Sequence, residues 1–418
     1  MRISYVTMQF PAPAETFTCN DVRALRDSGA TISVHALRAA HPMALTLTAE
    51  RDLDGVRVTH GGKMAAIHGC GIAISRLGTL LQLLVFIMRH NWRRPEHMLK
   101  SLLLVPRAVQ ILSDLQAKRP DVVHLCWGHY PSLVGFLVQT YLPDVVVSVS
   151  LVAYDLEAEY GGTAPVADKA DMIRTVASVN VQAIVDTYGV APEAISVLYD
   201  GVDMRRFAGV SFAQKKVPRR IVTAARLIPS KSVNDVLEVF AKLVERWPDA
   251  TLVVLGDGPE MGGLKAYART LGIQELTTFR GHISHDVVFE EMAKAEVFLF
   301  MSRKSGERLP NVVKEAMGCR CLCIVTDTPG IQELVVDGKH GFVVPQGDVA
   351  GACQLAGRIF EDVAARKTMI DAAHRHLEAN FDLQRIIAEY CERWQRLVRN
   401  KRSGLKPATS AAKPLKKG

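Results

Sequence analysis

Two carboxylates separated by seven residues, Glu307 and Glu315, flank a helix start in the stretch Ser305-Gly306-Glu307-Arg308-Leu309-Pro310-Asn311-Val312-Val313-Lys314-Glu315-Ala316-Met317. Pro310 has a pre-set φ and no N–H, which suits a first helical turn, and Lys314, Glu315, Ala316 and Met317 are good helix formers that extend it. The pattern predicts Glu307 on the loop and Glu315 one turn inside the helix. Amides left free at a helix start attract phosphate. The chemistry expected is an anion site with one carboxylate before it and one beyond, the shape of a nucleotide-sugar pocket.

Cations for such a site stand in Arg226-Leu227-Ile228-Pro229-Ser230-Lys231, which follows a strand-like run. That places them at the carboxyl edge of a sheet, where open α/β folds bind ligands. Arg supplies a planar fork and Lys a point charge, together able to stabilise a leaving diphosphate without a metal. Gly256-Asp257-Gly258-Pro259 reads as a sharp strand-to-helix corner. After the first strand Gln9-Phe10-Pro11-Ala12-Pro13 stands where a dinucleotide fingerprint would need GxGxxG. Asp52-Leu53-Asp54, the one Asp-x-Asp resembling a metal pair, lies before Gly55 and reads as a solvated turn.

The elements that must position these residues alternate. Ile3–Met8, Thr31–Leu37, Val56–Thr59, Val122–Cys126, Val145–Val149 and Ile195–Leu198 read as strands, with helical patterns between them at Cys19–Ser28 and Met98–Gln116. The second half repeats the plan with Ile221–Ala224, Thr251–Leu255, Thr277–Arg280, Val297–Met301 and Leu322–Val325. Such alternation predicts an α/β chain of two doubly wound, Rossmann-like domains, and a ligand cleft between them is the default. The expected organisation is one domain over 1–203, a second over 204–375, a terminal helix over 376–400 and a disordered basic tail over 401–418.

At 418 residues the chain exceeds the usual domain of about 100–200. Its net charge of +8 is carried by Arg396, Arg399, Lys401, Arg402, Lys406, Lys413, Lys416 and Lys417, with no acid in the same segment. The remaining chain is neutral. Such a tail favours anions such as lipid headgroups, and no aromatic residues interleave with it to stack on bases, so nucleic acid is not an expected partner. The eight cysteines lack CxxC pairs, and Cys319, Cys321 and Cys323 alternate as small core thiols on one strand face, which predicts a reducing compartment. The N-terminus enters a strand directly, without a signal-peptide pattern.

Met64 to Met88 is apolar at helical spacing, with Leu77, Leu80, Leu81, Leu84, Val85 and Met88 on one side and Leu83, Phe86 and Ile87 on the other. Arg76, Gly78, Thr79 and Gln82 shorten the apolar run below the roughly 18–20 residues needed to span a bilayer. Two placements fit: a helix in the headgroup region, anchored by Trp92 and rimmed by Arg89, Arg93 and Arg94, or one buried beside the sheet.

Taken together, the second-half motifs resemble the retaining glycosyltransferases of family four, the "group 1" set with the GT-B fold. Arg226-Leu227 with Lys231, the Gly256–Pro259 turn, Phe279-Arg280-Gly281, the Glu307/Glu315 pair, Gly330-Ile331-Gln332-Glu333-Leu334 and Gly341-Phe342 occur in that family's order. The first half is similar to the branch that builds exopolysaccharides such as colanic acid, through Phe10-Pro11, Glu15-Thr16-Phe17, Ala36-Leu37-Arg38, His124 with Gly128, and Ala153-Tyr154-Asp155. Val152 stands where the family often has His, and Arg320-Cys321-Leu322 replaces a usual Gly-x-Pro.

The resemblance implies two Rossmann-like domains facing a central cleft, the first acceptor-side and the second nucleotide-sugar-binding, with the terminal helix packing back toward the first. It also implies a metal-independent, retaining transfer with a nucleoside diphosphate sugar as co-substrate and no other cofactor. By it Arg226 and Lys231 neutralise the diphosphate, Glu315 binds the ribose, and Glu307 contacts the sugar near its reacting face. Asp257, Gly258, Pro259, Gly281 and His282 frame the base, and Leu309, Pro310 and Asn311 complete the donor site. Glu15, Thr16, His124, His129, Tyr154 and Asp155 are the acceptor-side candidates. The expected acceptor is lipid-linked, and the expected location is cytoplasmic, peripheral on the inner face of the membrane with anionic lipid as partner. Two other readings stay open: a non-catalytic nucleotide-sugar or membrane-binding scaffold, and a glycosidase using Glu307 and Glu315.

Overall fold

The computed structural model describes residues 1–13, 15–211, 215–303 and 306–404. Ser305, which opens the motif stretch, and the tail lysines from Lys406 onward lie outside the described residues.

The chain divides into two compact units, Met1–Gly201 with the segment from Gln384 onward, and Val202–Leu383. The first is built on seven strands: β1 Arg2–Thr7, β2 Thr31–Ala36, β3 Arg57–Thr59, β4 Val122–Leu125, β5 Val146–Ser150, β6 Met172–Thr175 and β7 Ile195–Val197. They pair in parallel in the order β3-β2-β1-β4-β5-β6-β7. The central strands are enclosed on both faces: every residue of β4 and β5 is buried, His124, Ser148 and Ser150 included. The second unit carries β8 Arg220–Ala224, β9 Thr251–Leu255, β10 Thr277–Gly281, β11 Val297–Phe300, β12 Leu322–Thr326 and β13 Phe342–Val344. Its parallel order is β10-β9-β8-β11-β12-β13. In each sheet the winding reverses beside the first strand, between β1 and β4 and between β8 and β11. Crevices at the carboxyl ends of such reversals take ligands.

Two strands escape the sequence reading. β6 carries Arg174 in its middle, which breaks an apolar pattern, yet Arg174 is buried. Its guanidinium donates to Asp21 Oδ2 at 2.9 Å, Asp200 Oδ1 at 2.8 Å and the Leu198 carbonyl at 2.9 Å, and lies over the Tyr390 ring. Desolvating a cation is costly unless it is fully partnered, and these groups supply the partners. β13 is a three-residue strand after Gly341, too short to show a period.

The chain passes between units at residue 201, two residues before the expected boundary, and again at 383. The two crossings run side by side, Val202 N donating to the Phe381 carbonyl at 2.8 Å and Leu383 N to the Val202 carbonyl at 2.9 Å. This pairing draws Asp382 out of helical geometry, with ψ at 119°. The helix expected over 376–400 is therefore two, Val363–Phe381 and Leu383–Arg402. The second belongs to the first unit, where Tyr390 and Trp394 are buried beside His124. Order also continues past the expected limit at Asn400. Lys401 Nζ reaches the Val145 carbonyl at 2.8 Å and Asp171 Oδ2 at 2.6 Å, and Arg402 reaches Asp121, so acids at the sheet's edge hold the helix end.

The apolar segment from Met64 is likewise two helices, Lys63–Ser75 and Leu77–Asn91, meeting at a bend of 107°. Leu83, Phe86 and Ile87 are buried while Leu77, Leu81, Val85 and Met88 are exposed, so each placement left open above describes one face. Among the described residues no single helix is long and apolar enough to cross a membrane. Of the three cysteines expected on one strand face, only Cys323 lies in β12. Cys319 caps the preceding helix, and all three are buried free thiols.

Candidate active site

In the second unit the loop after β8 and the loop after β9 are joined by main-chain bonds: Ala225 N to the Leu255 carbonyl at 3.1 Å, Leu227 N to the Asp257 carbonyl at 2.9 Å and Glu260 N to the Leu227 carbonyl at 3.1 Å. Only glycines allow this approach, since a Cβ at Gly256 or Gly258 would overlap the carbonyl of Ala225 or Leu227, and Gly256 also has φ +117°. The corner read from Gly256-Asp257-Gly258-Pro259 thus braces the cation loop. Gly281, at the end of β10, accepts from Gly256 N at 3.0 Å and ties the third loop in.

The loop after β11 closes the crevice. Ser302 is buried, and its hydroxyl donates to Glu307 Oε2 at 3.3 Å. The same carboxylate oxygen is in contact with Lys231 Nζ, whose ammonium also faces the Phe300 ring at 5.1 Å. Pro310 is not in the first turn, as expected, but is the N-cap. Its extended ψ of 128° turns its carbonyl to accept from Val313 N and Lys314 N, and the helix spans Asn311–Gly318. The first amides, of Asn311 and Val312, have no earlier turn to bond. Glu315 projects from this helix, nearly buried, with Oε1 3.0 Å from His285 Nε2.

These parts enclose a cavity of about 460 Å³ at the β8/β11 reversal. Eight expected donor-site residues line it: Arg226, Lys231, Asp257, His282, Glu307, Pro310, Asn311 and Glu315. Gly258, Gly281 and the buried Leu309 frame the loops from behind, and Pro259 is exposed beside them. The sequence reading missed Ile283, His285, Val288 and Phe300 on the wall. His285 opens the helix His285–Lys294 three residues beyond His282, and that spacing was the available signal. The arrangement offers two cations and a helix start to a polyanion, with separate carboxylates for hydroxyl groups. A second cavity of about 410 Å³, beside Lys265, Arg269 and Phe279 at the outer strand β10, is lined by no carboxylate.

At the reversal of the first sheet the chemistry is different. Glu15 follows the loop from β1 and precedes the helix Thr16–Asp27. Its Oε1 accepts from Thr7 Oγ1 at 3.0 Å and Trp127 Nε1 at 3.4 Å, while Oε2 is buried without a hydrogen-bond partner. Burial pushes the Glu15 carboxyl up to about 7. Asp155 is almost fully enclosed and accepts from the amides of Gly128 at 2.8 Å, His129 at 3.2 Å and Val152 at 3.1 Å, with His129 Nδ1 at 3.0 Å. It is a brace between two loops. Tyr154 is exposed and meets Trp127 and His129 edge-on, so the aromatic surface belongs to Tyr154 and Trp127, the latter unread from sequence.

His124 corrects an expectation. It lies at 1% exposure between Tyr5, Tyr390 and Trp394, with Nδ1 3.0 Å from Ser148 Oγ, and burial pushes it down to about 3. A neutral core imidazole cannot meet an acceptor.

Residues 209–376 match the family model of glycosyl transferases group 1. The chain is 29% identical over 206 residues to a putative colanic acid biosynthesis glycosyltransferase, WcaL, of Salmonella typhimurium, covering 47% of this chain and 50% of that protein. It is 26% identical over 220 residues to the N-acetylgalactosamine-N,N'-diacetylbacillosaminyl-diphospho-undecaprenol 4-alpha-N-acetylgalactosaminyltransferase of Campylobacter jejuni, covering 52% and 58%. The chain spans about half the length of the curated relatives it matches. HepE of Anabaena, crystallised with UDP, superposes with a TM-score of 0.71 at 16% identity, over 95% of this chain and 100% of that one, which shows the GT-B fold.

Proposed function

We propose, from the match of residues 209–376 to the glycosyl transferases group 1 model, that the protein moves a sugar from a nucleoside diphosphate donor to an acceptor hydroxyl, with retention at the anomeric carbon. The observation that carries the reading is the cavity at the β8/β11 reversal, where Arg226, Lys231 and the Asn311 helix start converge beside Glu307 and Glu315. Negative charge growing on a departing diphosphate is stabilised by fixed cations and amides already in place. Arg226 and Lys231 take that role without a metal. Lys231 faces the cavity through its pair with Glu307, and a phosphate oxygen can exchange for that carboxylate. Glu307 is then released toward the sugar. Glu315, oriented by His285, accepts from ribose hydroxyls, and His282 with Asp257 borders the base.

Relatives whose names carry colanic acid and a diphospho-undecaprenol substrate support a lipid-linked saccharide as acceptor, in exopolysaccharide or cell-surface polysaccharide synthesis at the inner face of the cytoplasmic membrane. A UDP-bound fold neighbour supports a uridine nucleotide as donor. The glycosidase alternative fits less well, because Glu307 and Glu315 each face a different basic partner, whereas a hydrolase points both carboxyls at one bond.

Lys231→Ala and Glu307→Gln test the assignment with a panel of uridine and guanosine diphosphate sugars and native membranes as acceptor. Each substitution is expected to lower kcat about 100-fold or more with melting unchanged, and EDTA is expected to leave turnover intact. Full activity in either variant would remove the assigned roles, and nucleotide-sugar binding without turnover in the wild type would favour a scaffold.

A further inference from the structure

Ten of the fifteen large apolar side chains exposed among the described residues fall between Met64 and Leu103. Nine lie on three consecutive helices, Lys63–Ser75, Leu77–Asn91 and Pro95–Lys118, each showing them as a stripe, and the tenth, Trp92, caps the middle helix. On the middle helix Leu77, Leu81, Val85 and Met88 recur at three- and four-residue spacing and run on to Trp92. Ile67 and Ile74 stand out on the first helix, and Leu99 and Leu103, one turn apart, on the third. The opposite side of the middle helix is anchored, with Phe86 stacked on Phe136 at 4.3 Å. The first and third helices cross at Gly69, where a Cβ would overlap the Pro106 carbonyl. Exposed side chains of this kind belong to one packed three-helix layer, not to a loose hairpin.

Charge identifies the occupant. From Lys63 to Leu103 the chain has six cations, Lys63, Arg76, Arg89, Arg93, Arg94 and Lys100, against one carboxylate, Glu96, which is itself paired with Lys100. Arg93 lies over the Trp92 ring at 4.9 Å, an aromatic and cationic rim beside the apolar stripe. A second copy would bring this cationic surface against itself, since a two-fold interface pairs a patch with its own image. Anionic lipid complements both parts. At 1.5 Å per residue, helices of 13 and 15 residues reach about 20 Å, short of the roughly 30 Å hydrocarbon core, and the 107° bend keeps them from adding up.

We propose that the outward faces of these three helices form one shallow insertion surface for an anionic bilayer, lying in the headgroup plane and not spanning it. The proposal rests on the peripheral-membrane part of the functional reading and deepens it, because the third helix, with Leu99 and Leu103, takes part as fully as the segment that looks membrane-like in sequence. Apolar area and cations then act together, as they do for interfacial helices.

The test is flotation of the full chain with phosphatidylcholine vesicles, with and without phosphatidylglycerol. Wild type is expected to float with the anionic vesicles, and Ile67→Glu, Leu81→Glu and Leu103→Glu are each expected to reduce the bound fraction about tenfold with melting unchanged. Tryptophan emission should shift to the blue on vesicle addition, and Trp92→Phe should abolish that shift even if a glutamate variant folds poorly. Wild type left in the pellet overturns the proposal. So does Leu103→Glu floating like wild type, or release of all binding by about 1 M salt with the variants unaffected, which would assign attachment to electrostatics alone. A wild-type dimer converted to monomer by Leu81→Glu without any change in flotation would assign the surface to a second copy. Donor hydrolysis in the absence of vesicles separates this from the transferase reading: Leu81→Glu should retain it, and Lys231→Ala should lose it while still floating.

Discussion

The two units place their ligand-facing loops at the same topological position, yet the chemistry there is opposite. At the β8/β11 reversal polar groups meet across loops around an open cavity, Lys231 paired with Glu307 and Glu315 beside the His285 imidazole. At the β1/β4 reversal the ionisable groups are enclosed: Asp155 is consumed by amides, burial pushes the Glu15 carboxyl up to about 7, and the outward surface is aromatic. A shared architecture therefore fixes where a ligand goes and leaves its charge to a few loop residues. An ion pair that can be exchanged suits a diphosphate, whereas an aromatic edge suits a polyol with apolar faces.

Substitutions in the two regions should separate accordingly. The largest effect after the cation and sugar-side changes above is expected from Glu315→Ala. Losing charge-assisted hydrogen bonds to a hydroxyl pair should raise the donor KM about 10- to 100-fold while kcat moves much less. Steady-state kinetics over donor concentration checks this, and a pure kcat effect would blur the division between Glu307 and Glu315. Trp127→Ala comes next, with an expected loss of about tenfold in transfer to membrane acceptor and unchanged donor hydrolysis. An equal loss in both reactions would show the aromatic edge serving the donor as well.

The smallest effect tests the enclosed carboxyl. Glu15 has a folded-state value near 7, raised by burial, so the unfolded chain releases this proton first. Stability from the neutral carboxyl is complete below the ordinary value of 4.5 and is lost as pH rises through about 7, by about 3 kcal/mol. Glu15→Gln, which cannot ionise, should therefore melt a few degrees above wild type at pH 8 and close to it at pH 4.5. Identical differences at both pH values would mean that Glu15 is charged in the folded chain.

Much of the donor side was readable because its residues are local in sequence. Glu307, Pro310, Asn311 and Glu315 occupy one loop and helix, and Gly256 to Pro259 declares its turn through glycine. His285 was missed because its contact with Glu315 joins positions thirty residues apart. His124 was misplaced for the converse reason: a histidine at a strand end looks available until the returning helix, with Tyr390 and Trp394, covers it. Arg174 hid β6 because its partners Asp21 and Asp200 are remote in the chain.

What the amino-acid sequence determined alone is the alternation of strands and helices, the two-sheet plan and the residue types gathered at the second sheet's edge, because periodicity, turn chemistry and helix starts are short-range properties. What only the tertiary structure decided is which of those side chains are accessible, which are paired, and that three separate apolar stripes lie on one packed layer of helices. Burial and pairing depend on segments that meet after folding, and no local pattern encodes what will cover a residue from elsewhere in the chain.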